Sequence, residues 1–118
     1  MKRLSLFIYF FLITVLQAAA QQSFDKTAVK SVMKRVADWQ IANPNKGAEH
    51  DDLDWTHAAL YMGMLDWAEL TEKEDSDDSY YQWLLRIGQR NHFQIGKWMY
   101  HADFIAVGQP FIDLYLKY

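Results

Sequence analysis

The sequence predicts an all-α protein. Several segments carry apolar residues at helical spacing, and most of them begin after a residue that can cap a helix and end at a turn signal. The chain has 118 residues, of which 51% are hydrophobic and 16% aromatic, and it has no cysteine. Because aromatic side chains bury a large area each, a domain of this size can hold a core without disulfide bonds.

The first 20 residues have the features of a secretory signal peptide. Lys2 and Arg3 precede an apolar run from Leu4 to Leu16, and Ala18–Ala20 provide a small-residue cleavage site. We expect cleavage after Ala20 and export to the periplasm or the cell exterior. The apolar run is short for a hydrocarbon layer of ~30 Å, so we expect no stable membrane anchor. Residues 21–118 then form the mature chain, which we interpret as part of one domain.

The charge balance argues against some classes of partner. The formal net charge is -3, and it becomes more negative when Lys2 and Arg3 are removed with the signal peptide. An acidic protein is a poor ligand for nucleic acid or an anionic membrane surface. The lack of cysteine excludes a thiolate metal site and a cysteine nucleophile.

The first predicted helix begins after an N-cap at Asp25 and ends at about Ala42. Asn43 and Pro44 end it, because the residue before a proline is disfavoured in the helical region. Its apolar residues recur at i, i+3, i+4 and i+7, so we expect this face to be buried. The face consists of Val29, Val32, Met33, Val36 and Trp39 or Gln40.

The second predicted helix is capped by Asp54 and runs from Trp55 to about Leu70. Gly63 lies in its interior, where glycine costs roughly 1 kcal/mol relative to alanine. We therefore expect another helix or a ligand to approach closely there, and we favour a helix.

The acidic run from Glu72 to Asp78 lacks the glycine and the terminal glutamate of an EF-hand, so we expect a solvated turn and no metal site. A third helix, Tyr80 to about Gln89, follows a cap at Asp77, Asp78 or Ser79. Residues 90–100 are predicted to be a loop rich in groups that stack or donate hydrogen bonds.

The stretch from Phe104 to Leu116 is apolar almost all the way round, which is typical of a buried helix. Asp103 lies at its first turn, in helical register with Val107, Phe111 and Leu114. Asp103 has two compatible interpretations. The first is a helix N-cap. The second is a carboxylate in a partly desolvated pocket that serves as a proton donor.

Two segments resemble one enzyme family. The segment YHADFIAVGQPFIDLY resembles the signature helix of the unsaturated glucuronyl and rhamnogalacturonyl hydrolases, glycoside hydrolase families 88 and 105. The matching positions are Asp103, Gly108, Leu114 and Tyr115. DWTHAALYMGM resembles the same family's first substrate-facing helix, with matches at Trp55, Tyr61 and Gly63.

The resemblance implies a fold and a reaction. The fold is an (α/α)6 barrel of about six helical hairpins, of which residues 21–118 would be the incomplete N-terminal portion. The implied substrate is an oligosaccharide with a 4,5-unsaturated uronic acid at its non-reducing end. In the family, hydration of that double bond gives a hemiketal that opens and breaks the glycosidic bond. No metal or organic cofactor takes part.

The resemblance also implies site residues. Asp103 falls on the first of the family's two active-site acids, and the second acid is expected beyond Tyr118. Trp55 falls on an aromatic position beside the unsaturated sugar, and His101 adjoins the acid in the sugar pocket. The alternatives are a core position for Trp55 and a capping or solvated His101. We interpret Tyr61 as core and leave His57 unassigned.

Two departures from the family pattern bear on this hypothesis. Phe104 stands where many relatives have a second aspartate, and Pro110 is expected to kink the signature helix. A rival hypothesis is a non-catalytic helical fragment or interaction module, which would expose large apolar patches. A third is a carbohydrate-binding domain without hydrolysis. The sequence predicts no oligomeric state.

Overall fold

The computed structural model describes residues 25–44 and 51–118. Their regular structure is entirely helical, which confirms the all-α prediction; the six-hairpin barrel stays a prediction. The helices are α1 (Lys26–Ala42), α2 (Trp55–Asp75), α3 (Ser79–Arg90), α4 (Ala102–Ile105) and α5 (Gly108–Lys117). None of the described helices is long and apolar enough to cross a membrane. The predicted signal peptide lies outside the described residues.

The chain divides into two compact units, Met1–Val32 and Met33–Tyr118. In the second unit, α2 packs against α3, α4 and α5, and α3 also packs against α5. Large side chains with relative exposures of 2% or less lie at the centre of this core. They include Tyr61, Tyr80, Leu84, Ile87, Val107 and Leu114.

Helix α1 begins and ends where the sequence predicts. The Asp25 carboxylate accepts a hydrogen bond from the Thr27 N–H at 3.0 Å, and the Asn43 side chain donates to the Trp39 carbonyl at 2.8 Å. Within the second unit, the Tyr80 hydroxyl donates to Asp38 at 2.6 Å, which joins this helix to α3. The hydrogen bond from Lys34 lowers the pKa of Asp38.

The predicted burial of the apolar face of α1 is wrong for the described structure. Ala37 is the buried residue of this helix, and Ile41 packs partly against the core. The bulkier apolar side chains lie elsewhere on the helix, and no described element covers them. Their exposed fractions range from 42% to 62% for Val29, Val32, Met33, Val36 and Trp39.

Helices α2 and α3 form a hairpin joined by three residues. Asp54 caps α2 as predicted, accepting from the Thr56 N–H at 3.1 Å, and the helix continues five residues past the predicted end at Leu70. Ser76 ends it in a left-handed conformation, with its N–H bonded to the Glu72 carbonyl. The first residues of the acidic run therefore belong to α2, and only its end forms the turn.

The predicted single buried helix over residues 104–116 is wrong, because α4 and α5 are separate. Pro110 is the third residue of α5, where its missing N–H would have no intrahelical acceptor. The helix therefore starts near the proline, and the predicted kink does not arise. Val107, Phe111 and Leu114 are buried as expected, whereas the opposite side of α5 is exposed at Ile112, Tyr115 and Leu116.

The expected close approach of another helix at Gly63 does not occur among the described residues. A side-chain carbon built at Gly63 would meet no described atom within 4 Å, because this position of α2 faces open space. Close approaches occur instead at Gly88, under the Phe93 ring, and at Gly96, under the Phe104 ring.

Candidate active site

Asp103 lies in the first turn of α4, and His101 occupies the N-cap position. The interpretation of Asp103 as the N-cap is therefore wrong. His101 has extended backbone geometry and makes no side-chain capping hydrogen bond. Its Nδ1 lies 3.7 Å from Asp103 Oδ2, and the two side chains are 48% and 54% exposed. The described residues do not form the expected partly desolvated pocket, and the Asp103 carboxylate is open to solvent.

Three rings beside Asp103 form what we call the aromatic cluster: Trp98, His101 and Phe104. The Trp98 and Phe104 centroids are 5.3 Å apart, the His101 and Phe104 centroids 5.4 Å, and the Trp98 and His101 centroids 5.8 Å. The planes are inclined at 56° to 83°, so no two rings stack in parallel. Lys97 Nζ lies 5.6 Å from the Trp98 ring centroid.

Backbone contacts hold the loop of Trp98 against α4. The Gly96 N–H donates to the Phe104 carbonyl at 2.9 Å, and the His101 N–H donates to the Trp98 carbonyl at 3.1 Å. A side chain at Gly96 would collide with the Phe104 ring, because its first carbon would overlap the ring atom Cδ1. Phe104, the departure from the family pattern, therefore fills the space that Gly96 leaves.

Trp55 is the first residue of α2 and is 52% exposed, so it is not a core residue. It makes no ring contact with the described aromatic residues, and the structure does not bring it into the aromatic cluster. Tyr61, two turns further along, is buried as predicted. His57 is buried, and its ring lies 5.9 Å from that of Tyr61. The binding role of Trp55 stays a prediction.

An ion pair fixes the chain just before Trp55, and we call it the Asp52–Arg90 clamp. Arg90 donates two hydrogen bonds to the Asp52 carboxylate, at 2.6 and 2.7 Å, and the Asn91 side chain donates a third at 2.9 Å. The hydrogen bonds to Asp52 raise the pKa of Arg90. Burial raises the pKa of the Tyr61 hydroxyl, and the charge of Asp52 raises it further.

Two cavities of about 490 Å³ each lie in the second unit. The first is an apolar groove between α3 and α5, lined in part by Leu85, Phe93, Phe111 and Tyr115. The second is polar and adjoins the Asp52–Arg90 clamp. Across residues 25–44 and 51–118, no group of three or more histidine, aspartate or glutamate side chains is placed to hold a metal ion.

The sequence marked residues 90–100 as a binding loop but did not single out Trp98. The available signal was a tryptophan preceded by lysine and placed three residues before His101. Asp103, His101 and Trp98 together offer a carboxylate that can exchange protons, an imidazole beside it and an exposed indole on which a sugar ring can pack.

The family comparison agrees with the two matched segments. The family model described as Glycosyl Hydrolase Family 88 matches residues 25–118, a range that includes Trp55, His101 and Asp103. No curated protein and no solved structure gives a significant match. The predicted family is thus confirmed, and with it the expectation of a carbohydrate substrate. The chain belongs to glycosyl hydrolase family 88.

Proposed function

We propose that this protein acts on oligosaccharides that end in a 4,5-unsaturated uronic acid and that it hydrates the double bond of that sugar. The observation that supports the proposal best is the exposed Asp103 carboxylate beside His101, within the segment that resembles the family's signature. A general acid or base must be able to reach the proton that it transfers. A half-exposed carboxylate with an aromatic cluster beside it meets that requirement.

The proposed reaction consumes one water molecule. A proton adds to C4 of the unsaturated ring, and the hydroxyl of water adds to C5, which gives a hemiketal. The hemiketal opens to a ketone at C5, and the former ring oxygen stays on C1 as a hydroxyl. The resulting hemiacetal at C1 collapses to an aldehyde and releases the aglycone as an alcohol. Ordinary glycosidases instead place two carboxylates at the anomeric carbon. The proposed chemistry needs its acid and base at C4 and C5.

We assign Asp103 the exchange of a proton with the attacking water or with C4. His101 adjoins this carboxylate, with its Nδ1 3.7 Å from Asp103 Oδ2, and is proposed to bind the same sugar. Trp55, exposed at the start of α2, is proposed to pack against the unsaturated sugar. The family resemblance implies a second active-site acid, which would complete the pair.

The replacement Asp103→Asn tests this role. We expect the rate of double-bond loss, followed by its ultraviolet absorbance, to fall by about 10²–10⁴-fold, because a general acid or base contributes that much. Asp113→Asn is the matched control, since Asp113 lies on α5 and accepts a hydrogen bond from Gln109 at 2.9 Å. Equal activity of wild type and Asp103→Asn, with unchanged circular dichroism, would remove Asp103 from the mechanism.

We also propose that the protein is exported. The basic start, the apolar run and the three alanines at 18–20 support this proposal. N-terminal sequencing of the protein recovered outside the cytoplasm should find Gln21 as the first residue. A mature protein that retains Met1 or Lys2 would contradict it.

A second candidate function is a helical interaction module, and the exposed apolar side chains of α1 and α5 favour it. Val36 is 62% exposed, and Tyr115 and Leu116 are 81% and 75% exposed. Apolar surface of this kind often marks a protein contact. Concentration-dependent self-association together with no turnover of the unsaturated saccharide would favour this function over catalysis.

A further inference from the structure

We propose that Trp98 and Lys97 form a subsite that holds the uronyl sugar beside Asp103. Trp98 would provide the surface on which the sugar ring packs, and Lys97 would pair with the sugar carboxylate. This inference rests on the proposed function, because it names two residues that bind the same substrate.

Trp98 has an available ring surface next to the candidate acid. The side chain is 56% exposed, although its ring contacts both His101 and Phe104. Neither contact is a parallel stack, so neither neighbouring ring lies flat on the indole. His101 joins Trp98 to Asp103, since its ring contacts the indole and its Nδ1 approaches the carboxylate. A sugar on Trp98 would therefore lie close to Asp103.

Hydrogen bonds hold the backbone around Trp98 in place even though it lies in a loop. The Trp98 carbonyl accepts a hydrogen bond from the His101 N–H. Two residues earlier, the Gly96 N–H donates a hydrogen bond to the Phe104 carbonyl. Gly96 is buried, which anchors the start of this segment. The His101 and Phe104 rings contact the indole from two sides. A side chain restricted in this way loses less conformational entropy when a ligand binds, so its contact area contributes more to affinity.

Lys97 supplies a charge that suits an anionic sugar. Its ammonium group lies 5.6 Å from the Trp98 ring centroid and has no carboxylate partner among the described residues. The sequence from Ser79 to Ala102 contains three lysine or arginine residues and no acidic residue, and of these three Arg90 is paired with Asp52. A uronate carboxylate is therefore attracted to the Lys97 ammonium group, whereas a neutral sugar is not.

Binding to single-residue variants tests the subsite. The dissociation constant for an unsaturated uronyl disaccharide is measured in the Asp103→Asn background, so that the saccharide is not consumed. We expect Trp98→Ala to raise the dissociation constant at least about tenfold, because a tryptophan contact carries that much binding energy. Trp98→Phe keeps an aromatic ring and should recover part of the affinity. Trp39→Ala, which removes an exposed tryptophan of α1, should change nothing.

A second comparison tests the charge. Lys97→Met should weaken binding of the uronyl disaccharide several-fold but leave binding of its neutral methyl ester unchanged. Equal effects on the acid and the ester would overturn the role of Lys97.

The outcomes also separate this inference from the proposed function. Normal binding by Trp98→Ala, in a protein whose wild type removes the double bond, overturns the inference and leaves the proposed function in place. A wild type that neither binds nor converts the unsaturated disaccharide overturns both.

Discussion

Gly96 gives the candidate site its shape, because the Phe104 ring occupies the space where a side chain would be. A carbon added at Gly96 would collide with Phe104 Cδ1 and would lie 2.7 Å from two further atoms of that side chain. Phe104 in turn contacts Trp98 and His101. A change at one glycine is therefore transmitted to the whole aromatic cluster.

Two glycine replacements should have opposite effects on stability. Gly96→Ala should lower the free energy of unfolding by about 1–3 kcal/mol, because the added methyl group overpacks the contact with Phe104. Gly63→Ala should raise it by up to about 1 kcal/mol, since Gly63 is an exposed position inside α2 with open space around it. Urea denaturation of both variants measures these differences.

The same two replacements also test what surrounds each glycine. If Gly63→Ala destabilised the protein, an element outside the described residues would have to approach that glycine. If Gly96→Ala were neutral, Phe104 would not be held against the loop as described.

The start of α2 is held by the Asp52–Arg90 clamp as well as by its cap. Asp52 has a side chain only 14% exposed, and Arg90 at the end of α3 donates two hydrogen bonds to it. The clamp connects the segment before Trp55 to the helix that leads into the Trp98 loop. The positions of Trp55 and Trp98, the two tryptophans proposed to bind the sugar, therefore both depend on segments that this ion pair joins.

Arg90→Met should lower the free energy of unfolding by about 1 kcal/mol, because it leaves the mostly buried Asp52 with fewer hydrogen bonds. The value is small because Arg90 is half exposed and solvent screens the pair. Arg86→Met is the control, since Arg86 is exposed one turn earlier on α3 and pairs with no described carboxylate. Equal stability of the two variants would contradict a stabilising role for the clamp.

Among the features of the helices, the ends are predicted best from the sequence. Asp25 and Asp54 cap α1 and α2 as predicted, because the capping interaction is local and involves residues two positions apart. The break between α4 and α5 was missed, because the apolar pattern runs through it without interruption. Pro110 was recognised, but its position in a first turn depends on where the helix starts, which periodicity does not determine.

At the scale of the whole molecule, the all-α class and the family followed from patterns that span many residues. The burial of the α1 face did not, because an amphipathic pattern predicts a face that is suited to burial but does not identify what covers it. Trp98 was missed for a related reason. Loop residues have no periodicity, and its proximity to Asp103 depends on contacts among Gly96, His101 and Phe104 that only the folded chain brings together.

Hydration of the double bond is tested most directly with two disaccharides that differ only in the C4–C5 double bond of the terminal uronic acid. The purified protein is incubated with each, and release of the aglycone sugar is measured. Hydration requires the double bond, so we expect release from the unsaturated disaccharide, with loss of its ultraviolet absorbance, and none from the saturated one. Cleavage of both at similar rates would indicate attack at the anomeric carbon and would contradict the proposed function.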